Sequence, residues 1–577
     1  MHLKIVKLLK HVVREYLVHI ALSISMEQTT LLLLLTLNCF SYGSQYYVKP
    51  TPDTECPEPC HTLSHYTSNP DNFKPNRTFL FLPGVFTLEE TAVLKIGNAR
   101  GIALIGSKRY PATDLKSEYP IPLSEIECVG LTGIAFCAGS NIAIKHIRMR
   151  NCYMGLVFIF TMNVKVQHIL IENSTAIGIY GIQMLGNNSI VDSAFVRNTE
   201  NAKFEYSEYY YEAEVCSVPR SLSMVTSRLE IEGSHFLQGH QNLQYDGVGG
   251  LTISMQRFPV DVFVQVADTT FFQNRGSVGG NMAVYVNESV AENVFVIENC
   301  SFINGSAYEG GAIAVYVQGQ LCNSVNHLQP RTILQISSSY FRLNSAVFHI
   351  NNRSKGGNQS CGCGGAVIIK LLKNCNPADV HISNCTFLRN IAESEGAGIS
   401  IYEITYLRII NMISIVNDTV FEGGSAGTVG GGISYTTTVA SVPTQILTEH
   451  DLTYALKSFQ LSRTSFSGNT AGVYAGALFL TFQILSSNSD RILRKIEITD
   501  CDISNNVGLG IRGATGVLIR STHSPSSHKV VLTNVSTCCH RGVHLENKVA
   551  VTSVMVVSNI DPYRKECNYF QIALLLS

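Results

Sequence analysis

The sequence predicts an all-β chain folded as a right-handed parallel β-helix, a β-solenoid of about 12 coils with an N-terminal cap. Three observations predict it. A Phe-centred repeat recurs along most of the chain. Apolar residues two apart precede a polar bend residue in each copy. A Gly-Gly pair then opens a further strand.

The repeat reads apolar–x–apolar–x–Asn/Asp–small–x–Phe–x–x–Asn/Gly, followed by Gly-Gly-Ala-Ile or a relative. Its Phe residues are Phe195, Phe236, Phe271, Phe302, Phe341, Phe387, Phe421 and Phe466, with Ile503 in the next copy. FVIENCSFINGSAYEGGAIAVYV (295–317) is the clearest copy. Pairs such as Val264/Val266, Leu334/Ile336, Val380/Ile382 and Ile496/Ile498 place two side chains on one strand face. The residue three before each Phe forms a column of Asp192, Asp268, Asn299, Ser338, Asn384, Asp418 and Asp500. Asn and Asp accept left-handed backbone and bond locally, so this column marks a bend and a potential side-chain ladder. The Phe column is expected to stack inside. The pairs Gly249-Gly250, Gly279-Gly280, Gly310-Gly311, Gly364-Gly365, Gly396-Ala397, Gly430-Gly431 and Ala475-Gly476 turn the chain into the next strand.

The same grammar continues upstream without Phe. IRMRNC (147–152) and ILIENSTA (169–176) put Asn151 and Asn173 at the expected bend, and residues 79–110 supply the first strands. Residues 200–214 (ENAKFEYSEYYYEAE) read as a solvated, Tyr-rich insertion or as a contact loop open to tyrosine sulfation. KVVLTNVSTCC (529–539) reads as a late coil. The expected division is 1–43 signal peptide, 44–78 N-terminal cap around Cys56 and Cys60, and 79–577 β-helix with variable loops.

Bulk properties set the context. The 577 residues are 45% hydrophobic and 15% charged, with a net charge of −1. That supplies a core and excludes the basic stripe that nucleic-acid binding needs. Thr29–Phe40 is an apolar run followed by the small residues Ser41 and Gly43 before a cut near Ser44, as in a secretion signal. A basic stretch precedes Met26, an alternative start, and a signal anchor over 12–40 is the competing reading. Removing Cys39 leaves sixteen of the seventeen cysteines, an even number suited to disulfides in an oxidising compartment. Eleven Asn-x-Ser/Thr sequons are candidate glycosylation sites: Asn76, Asn173, Asn187, Asn287, Asn299, Asn304, Asn352, Asn358, Asn384, Asn417 and Asn534. The expected localisation is secreted, extracellular or at the cell surface. The last residues, FQIALLLS (570–577), are too short to span a bilayer, so membrane association would need an anchor beyond this sequence.

Phe341-x-x-Asn344, Phe387-x-x-Asn390, Phe466-x-x-Asn469 and Gly310-Gly-Ala-Ile313 resemble the repeats of polymorphic outer-membrane proteins, within the pectin-lyase-like β-helix group. The resemblance covers roughly residues 145–540. CHTLSHY (60–66) and FLPGVFTL (81–88) are similar to the opening of secreted animal β-helix proteins. The resemblance implies the β-helix and, by analogy with bacterial adhesins, adhesion; the motifs specify fold far better than function.

Chemistry is sparse. Glycoside hydrolysis needs two neighbouring carboxylates, and lyases of this fold use a base with acidic calcium ligands. After each Gly-Gly the outward column reads Tyr285, Tyr316, Lys370, Tyr402, Thr436 and Thr481, with no carboxylate. The Asp-Asp, Gly-His-Gly and Arg-x-Lys set of polygalacturonase-like members is missing. Asp500 with Asp502 reads as a bend residue and its solvated neighbour, and HRGVH (540–544) as a loop. Cys361, Cys363, Cys375 and Cys385 read as disulfide partners before they read as a zinc site. Cys300, Cys385 and Cys501 share one column with Thr269, Thr419 and Thr464, a place for a small, half-buried side chain. No cofactor or metal is expected. The reading is an interaction or adhesion protein whose possible contact surface is Tyr285, Tyr316 and Tyr402, with an unidentified extracellular protein or glycan as partner. A carbohydrate-active enzyme and a structural extracellular rod are the alternatives.

Overall fold

The computed structural model describes residues 44–67, 72–88, 94–97, 100–107, 121–207, 226–240, 247–289, 291–319, 331–347, 362–374, 378–406, 413–440, 459–484, 494–510, 516–521, 528–538, 543–546, 553–555 and 572–574. The coil around Phe302 shows the unit. Asn293–Glu298 lies in a first sheet, Ser301–Ile303 in a second, Ser306–Ala307 in a short fourth and Ile313–Gln318 in a third. Each strand pairs in parallel with its counterpart one coil away. Among the described residues the four sheets hold 17, 14, 15 and 6 strands. The chain is therefore a parallel β-helix with its core enclosed by the sheets. Its second sheet has fourteen strands, against about 12 coils expected. The additional ones come from coils such as Gly84–Thr87 and Ser124–Glu127, which lack the full repeat signature.

The Phe column stacks as expected. Phe195, Phe236, Phe271, Phe302, Phe341, Phe387, Phe421 and Phe466 are in direct register, and Ile503 follows them. Ring centroids lie 4.5 to 5.0 Å apart, with interplanar angles of 13° or less. The spacing is that of adjacent parallel strands, so the backbone ladder and the ring stack share one repeat.

A second interior column comes from the asparagine three after the Phe, or after Ile503 in the last copy. The Nδ2 of Asn274, Asn344, Asn390, Asn469 and Asn506 each donates to the carbonyl of the Phe one coil earlier, at 2.7 to 3.1 Å. Their Oδ1 atoms accept backbone N–H groups, as Asn344 does from Gly305 at 2.9 Å. The corner's backbone polar groups are thus satisfied inside the protein, where leaving them unpaired would be costly.

At the bend, Asp192, Asp268, Asn299, Ser338, Asn384, Asp418 and Asp500 all have φ between 46° and 52°. His146, His168 and Arg463 occupy the same left-handed corner. The ladder forms in part: Asn384 Nδ2 donates to Ser338 Oγ at 3.1 Å, and Asn534 Nδ2 to Asp500 Oδ1 at 2.7 Å. Asn151 and Asn173 require a correction. Ile147–Arg150 and Leu170–Glu172 are second-sheet strands, with Ile171 opposite Phe195. Their asparagines turn the following corner, which also takes left-handed backbone. The two corners follow the same local apolar–x–apolar–x–Asn pattern, so the letters alone do not separate them.

Cys300, Cys385 and Cys501 are fully buried and not disulfide-bonded. The column wants a hydrogen-bond donor as much as a small volume. Each thiol points to the carbonyl two residues earlier at 3.2 Å, as the hydroxyls of Thr269, Ser339, Thr419 and Thr464 do at 2.7 to 2.9 Å. Burial pushes these thiols up, to about 12 for Cys300 and about 11 for the other two. Cys56–Cys60 and Cys128–Cys152 are disulfides, and Cys137 and Cys363 are also disulfide-bonded. Cys361 and Cys375 lie outside the described residues.

At the Gly-Gly corner the first residue is left-handed, with φ 64° at Gly310, and the second is crowded. A Cβ on Gly311 would lie 2.3 Å from the carbonyl oxygen of Gly365 in the next coil. At the N-terminal end, Gln45–Lys49 pairs with both Cys60–Thr62 and Thr78–Phe81. Leu63 and Tyr66, on the short helix Leu63–Thr67, are buried against the core. Part of the expected Tyr-rich insertion is not a loop. Glu200–Ser207 is a third-sheet strand with Phe204 and Tyr206 in the core, and residues 208–214 lie outside the described residues.

Candidate functional site

The outer face of the third sheet is the best-formed candidate. In Ile313–Gln318, residues Ile313, Val315 and Val317 point inward, which leaves Tyr316 outside. Register then places Tyr285, Tyr316, Lys370, Tyr402, Thr436 and Thr481 in one continuous ladder, one side chain per coil. The Tyr285 and Tyr316 rings stack at 5.5 Å and 12°. Lys370 interrupts the aromatic run, its Nζ 5.5 Å from the Tyr316 ring centroid.

The rings are half-buried, not open plates. Tyr285 and Tyr316 pack against an outer apolar cluster of Val248, Val278, Ala283, Ala314, Cys363 and Ile368. The Tyr316 hydroxyl donates to Glu309, and Lys370 Nζ lies 2.5 Å from the same carboxylate. Glu309 is buried at 5% exposure. It precedes Gly310-Gly311 and so falls outside the strand column that the sequence displays. Glu395 holds the equivalent place two coils on, before Gly396. Burial raises its carboxyl above the usual range although the Ser434 hydroxyl donates to it at 3.2 Å. The missed signal was positional: both acids directly precede their glycine corner.

Other carboxylates are committed to structural partners. Glu403, inward on the Tyr402 strand, accepts the Tyr435 hydroxyl at 2.9 Å. Glu200 is almost wholly buried, which raises its carboxyl to about 7, and the Thr252 hydroxyl donates to it. On the second sheet, Glu125, Glu127 and Glu172 alternate with Arg148, Arg150 and Arg197 in a ladder of ion pairs. Arg148–Glu125 is 2.9 Å, Arg150–Glu127 3.0 Å and Arg197–Glu172 3.5 Å. Hydrogen bonds from Arg150 and Asn151 hold Glu127 below the usual carboxylate range, which unsuits it to acid catalysis. Asp500 and Asp502 accept bonds from Asn534 and Ser536 one coil on. His540 and Arg541 lie outside the described residues. Among the described residues no three His, Cys, Asp or Glu side chains group to hold a metal ion, and no helix is long and apolar enough to cross a membrane.

Of the eleven sequons, Asn352 and Asn358 lie outside the described residues. Asn76, Asn173, Asn187, Asn299, Asn304, Asn384 and Asn534 are exposed, and Asn287 and Asn417 are half-buried.

No family model matches the chain, and no curated protein matches it. Among solved structures it is similar to the catalytic unit of a thermostable GH87 alpha-1,3-glucanase from Streptomyces thermodiastaticus strain HF3-3, at 9% identity and a TM-score of 0.43. That likeness covers 78% of this chain and 66% of the glucanase unit, so the chain spans just under two thirds of its neighbour's length.

Proposed function

We propose that the chain is an extracellular or cell-surface interaction protein whose third-sheet face holds an extended ligand, with a glycan as the class that best fits. The ladder of Tyr285, Tyr316, Lys370 and Tyr402 carries the reading. One side chain per coil gives a periodic row along the stack, and a polymer lying on it meets the same spacing repeatedly. Half-buried tyrosines are preorganised: they offer ring edges and hydroxyls at little further entropy cost. Lys370, held in place by the buried Glu309 carboxylate, adds an ammonium to the row that can donate to sugar hydroxyls.

Binding of the purified full chain to arrayed glycans tests this. A Tyr285→Ala/Tyr316→Ala/Tyr402→Ala variant that keeps its circular-dichroism spectrum should lose at least tenfold in affinity. Unchanged binding removes the column as the contact surface.

A carbohydrate-active enzyme is the second reading, and one observation favours it. Glu309 and Glu395 stand on the same face two coils apart, about 9.6 Å along the stack, and burial raises the Glu395 carboxyl. A general acid facing a second carboxylate is the arrangement of inverting hydrolysis. Release of reducing sugar from a bound glycan, abolished in Glu395→Gln, would favour this reading. Binding without turnover returns the face to recognition alone.

A further inference from the structure

We infer that N-linked glycans line both edges of the second sheet and leave the outer face of the third sheet bare. Asn299, Asn384 and Asn534 each occupy the corner between first and second sheets, and Asn173 and Asn304 the corner after the second. All five are exposed and left-handed, with φ between 50° and 57°. A corner side chain points away from the stack, where no neighbouring strand covers it. The second-sheet strand between Asn299 and Asn304 is Ser301–Ile303, three residues long, or roughly 10 Å. Glycans at its two ends would overhang it from both sides.

The hydrogen bonding tolerates the modification. Asn384 and Asn534 use Nδ2 to donate one bond to the coil before, at 3.1 and 2.7 Å, and Asn299 donates likewise to Asp268. Transfer from a diphosphate-activated oligosaccharide forms a bond from Nδ2 to the anomeric carbon and breaks that carbon's bond to the diphosphate. One amide proton leaves with the diphosphate group. The second N–H remains, and the ladder needs only one.

The third sheet is different. Its outward ladder from Tyr285 to Thr481 contains no sequon asparagine. Asn287 lies on the outward side at the far end of the strand Met282–Asn287, but it is half-buried with its Oδ1 enclosed, so it is expected to stay unmodified. That the bare face is also the binding face rests on the function proposed above.

The full chain, expressed in a secreting eukaryotic cell, is deglycosylated enzymatically in heavy-oxygen water and mapped by peptide mass spectrometry. Isotope-marked aspartate is expected at positions 173, 299, 304, 384 and 534. Unmodified asparagine at 299, 304 and 384 overturns the inference. In a second arm, trimming the native glycans should leave binding to arrayed glycans within twofold. Thr436→Asn, which writes the sequon Asn-Thr-Thr into the same ladder without removing a tyrosine, should reduce that binding at least tenfold. A tenfold change on trimming overturns the bare-face assignment. Marked peptides without any array binding would sink the functional reading and leave this one standing; binding without marked peptides does the reverse.

Discussion

The coils before Phe195 and those after it obey one backbone plan with different side chains. In the early part Phe86 opens the column, Ile126, Met149 and Ile171 then hold the place of the Phe, and from Ile126 on the coils follow one another at 22 to 24 residues without the Gly-Gly corner. Their outer second-sheet face is tied by alternating Glu and Arg, and Cys128–Cys152 joins neighbouring coils. In the later part the interior carries stacked rings and an asparagine ladder, and the connections vary in length. The left-handed corner residue is common to both, from His146 and His168 to Asn384 and Asp500. The lesson is that corner geometry defines the coil, and any ladder that satisfies the corner's polar groups can stabilise it.

The largest difference should appear when an interior ladder is cut. Asn344 donates to Phe302 O and Asn390 Oδ1 and accepts from Gly305 N and Asn281 Nδ2. Asn344→Ala strands several buried groups, each worth about 1–3 kcal/mol, so a loss of roughly 4 kcal/mol is expected. Phe341→Ala should cost a similar ~3–5 kcal/mol through the cavity it opens. Phe341→Ile, which imports the side chain of the early coils, should cost about 1–2 kcal/mol. Chemical denaturation, with hydrogen exchange read over residues 295–347, measures all three. An Asn344→Ala protein as stable as the wild type would break the ladder account.

Next comes Glu200, where the two parts meet. Its carboxyl ionises near 4.5 in the ordinary state and near 7 when folded. The folded chain therefore holds an extra proton between those values, and stability falls as pH rises through that window. A shift of this size corresponds to on the order of 3 kcal/mol. Glu200→Gln keeps an oxygen for the Thr252 hydroxyl and carries no charge to bury. It should match the wild type near pH 4 and exceed it by up to that amount at pH 8. Parallel pH–stability curves for the two proteins would show that Glu200 is not the source.

This contrast also explains what the sequence made legible. The Phe register, the left-handed corners and the outward Tyr–Lys ladder were readable because each repeats a residue type at a fixed offset, and period-two alternation assigns its face. Asn151 and Asn173 were misplaced because consecutive corners share one local pattern. Glu200–Ser207 reads as a loop because its polar, Tyr-rich letters hide Phe204 and Tyr206 in the core. Glu309 was missed since its role depends on Lys370, sixty-one residues away and brought to it only by stacking. The offset of the internal asparagine was visible, whereas its bond to the preceding coil's Phe carbonyl was not. Sequence offsets reveal columns; they do not reveal which atoms meet between columns.

A smaller effect should separate the thiols from the rings. Cys300, Cys385 and Cys501 share their column with threonines that make the same bond. Cys385→Thr should therefore change stability by less than about 1 kcal/mol, and Cys385→Val by a similarly small amount, since the Ser383 carbonyl that loses the thiol still accepts the backbone N–H of Ser338 at 3.0 Å. In the native protein the three thiols should resist alkylation at neutral pH, because burial keeps them protonated and enclosed. Rapid labelling before unfolding would contradict that placement.

The smallest expected effect lies on the early face. Arg197 reaches Glu172 at 3.5 Å, but its side chain is 57% exposed, and Glu172 also has Arg148. A solvated, redundant ion pair contributes about 0–1 kcal/mol and weakens with salt. Arg197→Ala should thus shift stability by no more than about 0.5 kcal/mol. Arg148→Ala should cost several times more, because Arg148 bridges Glu125 and Glu172, both largely buried, across three successive coils. Equal losses for the two variants would mean that the Glu–Arg ladder is only surface decoration. The early coils would then owe their stability to the corners, the disulfide and the apolar interior alone.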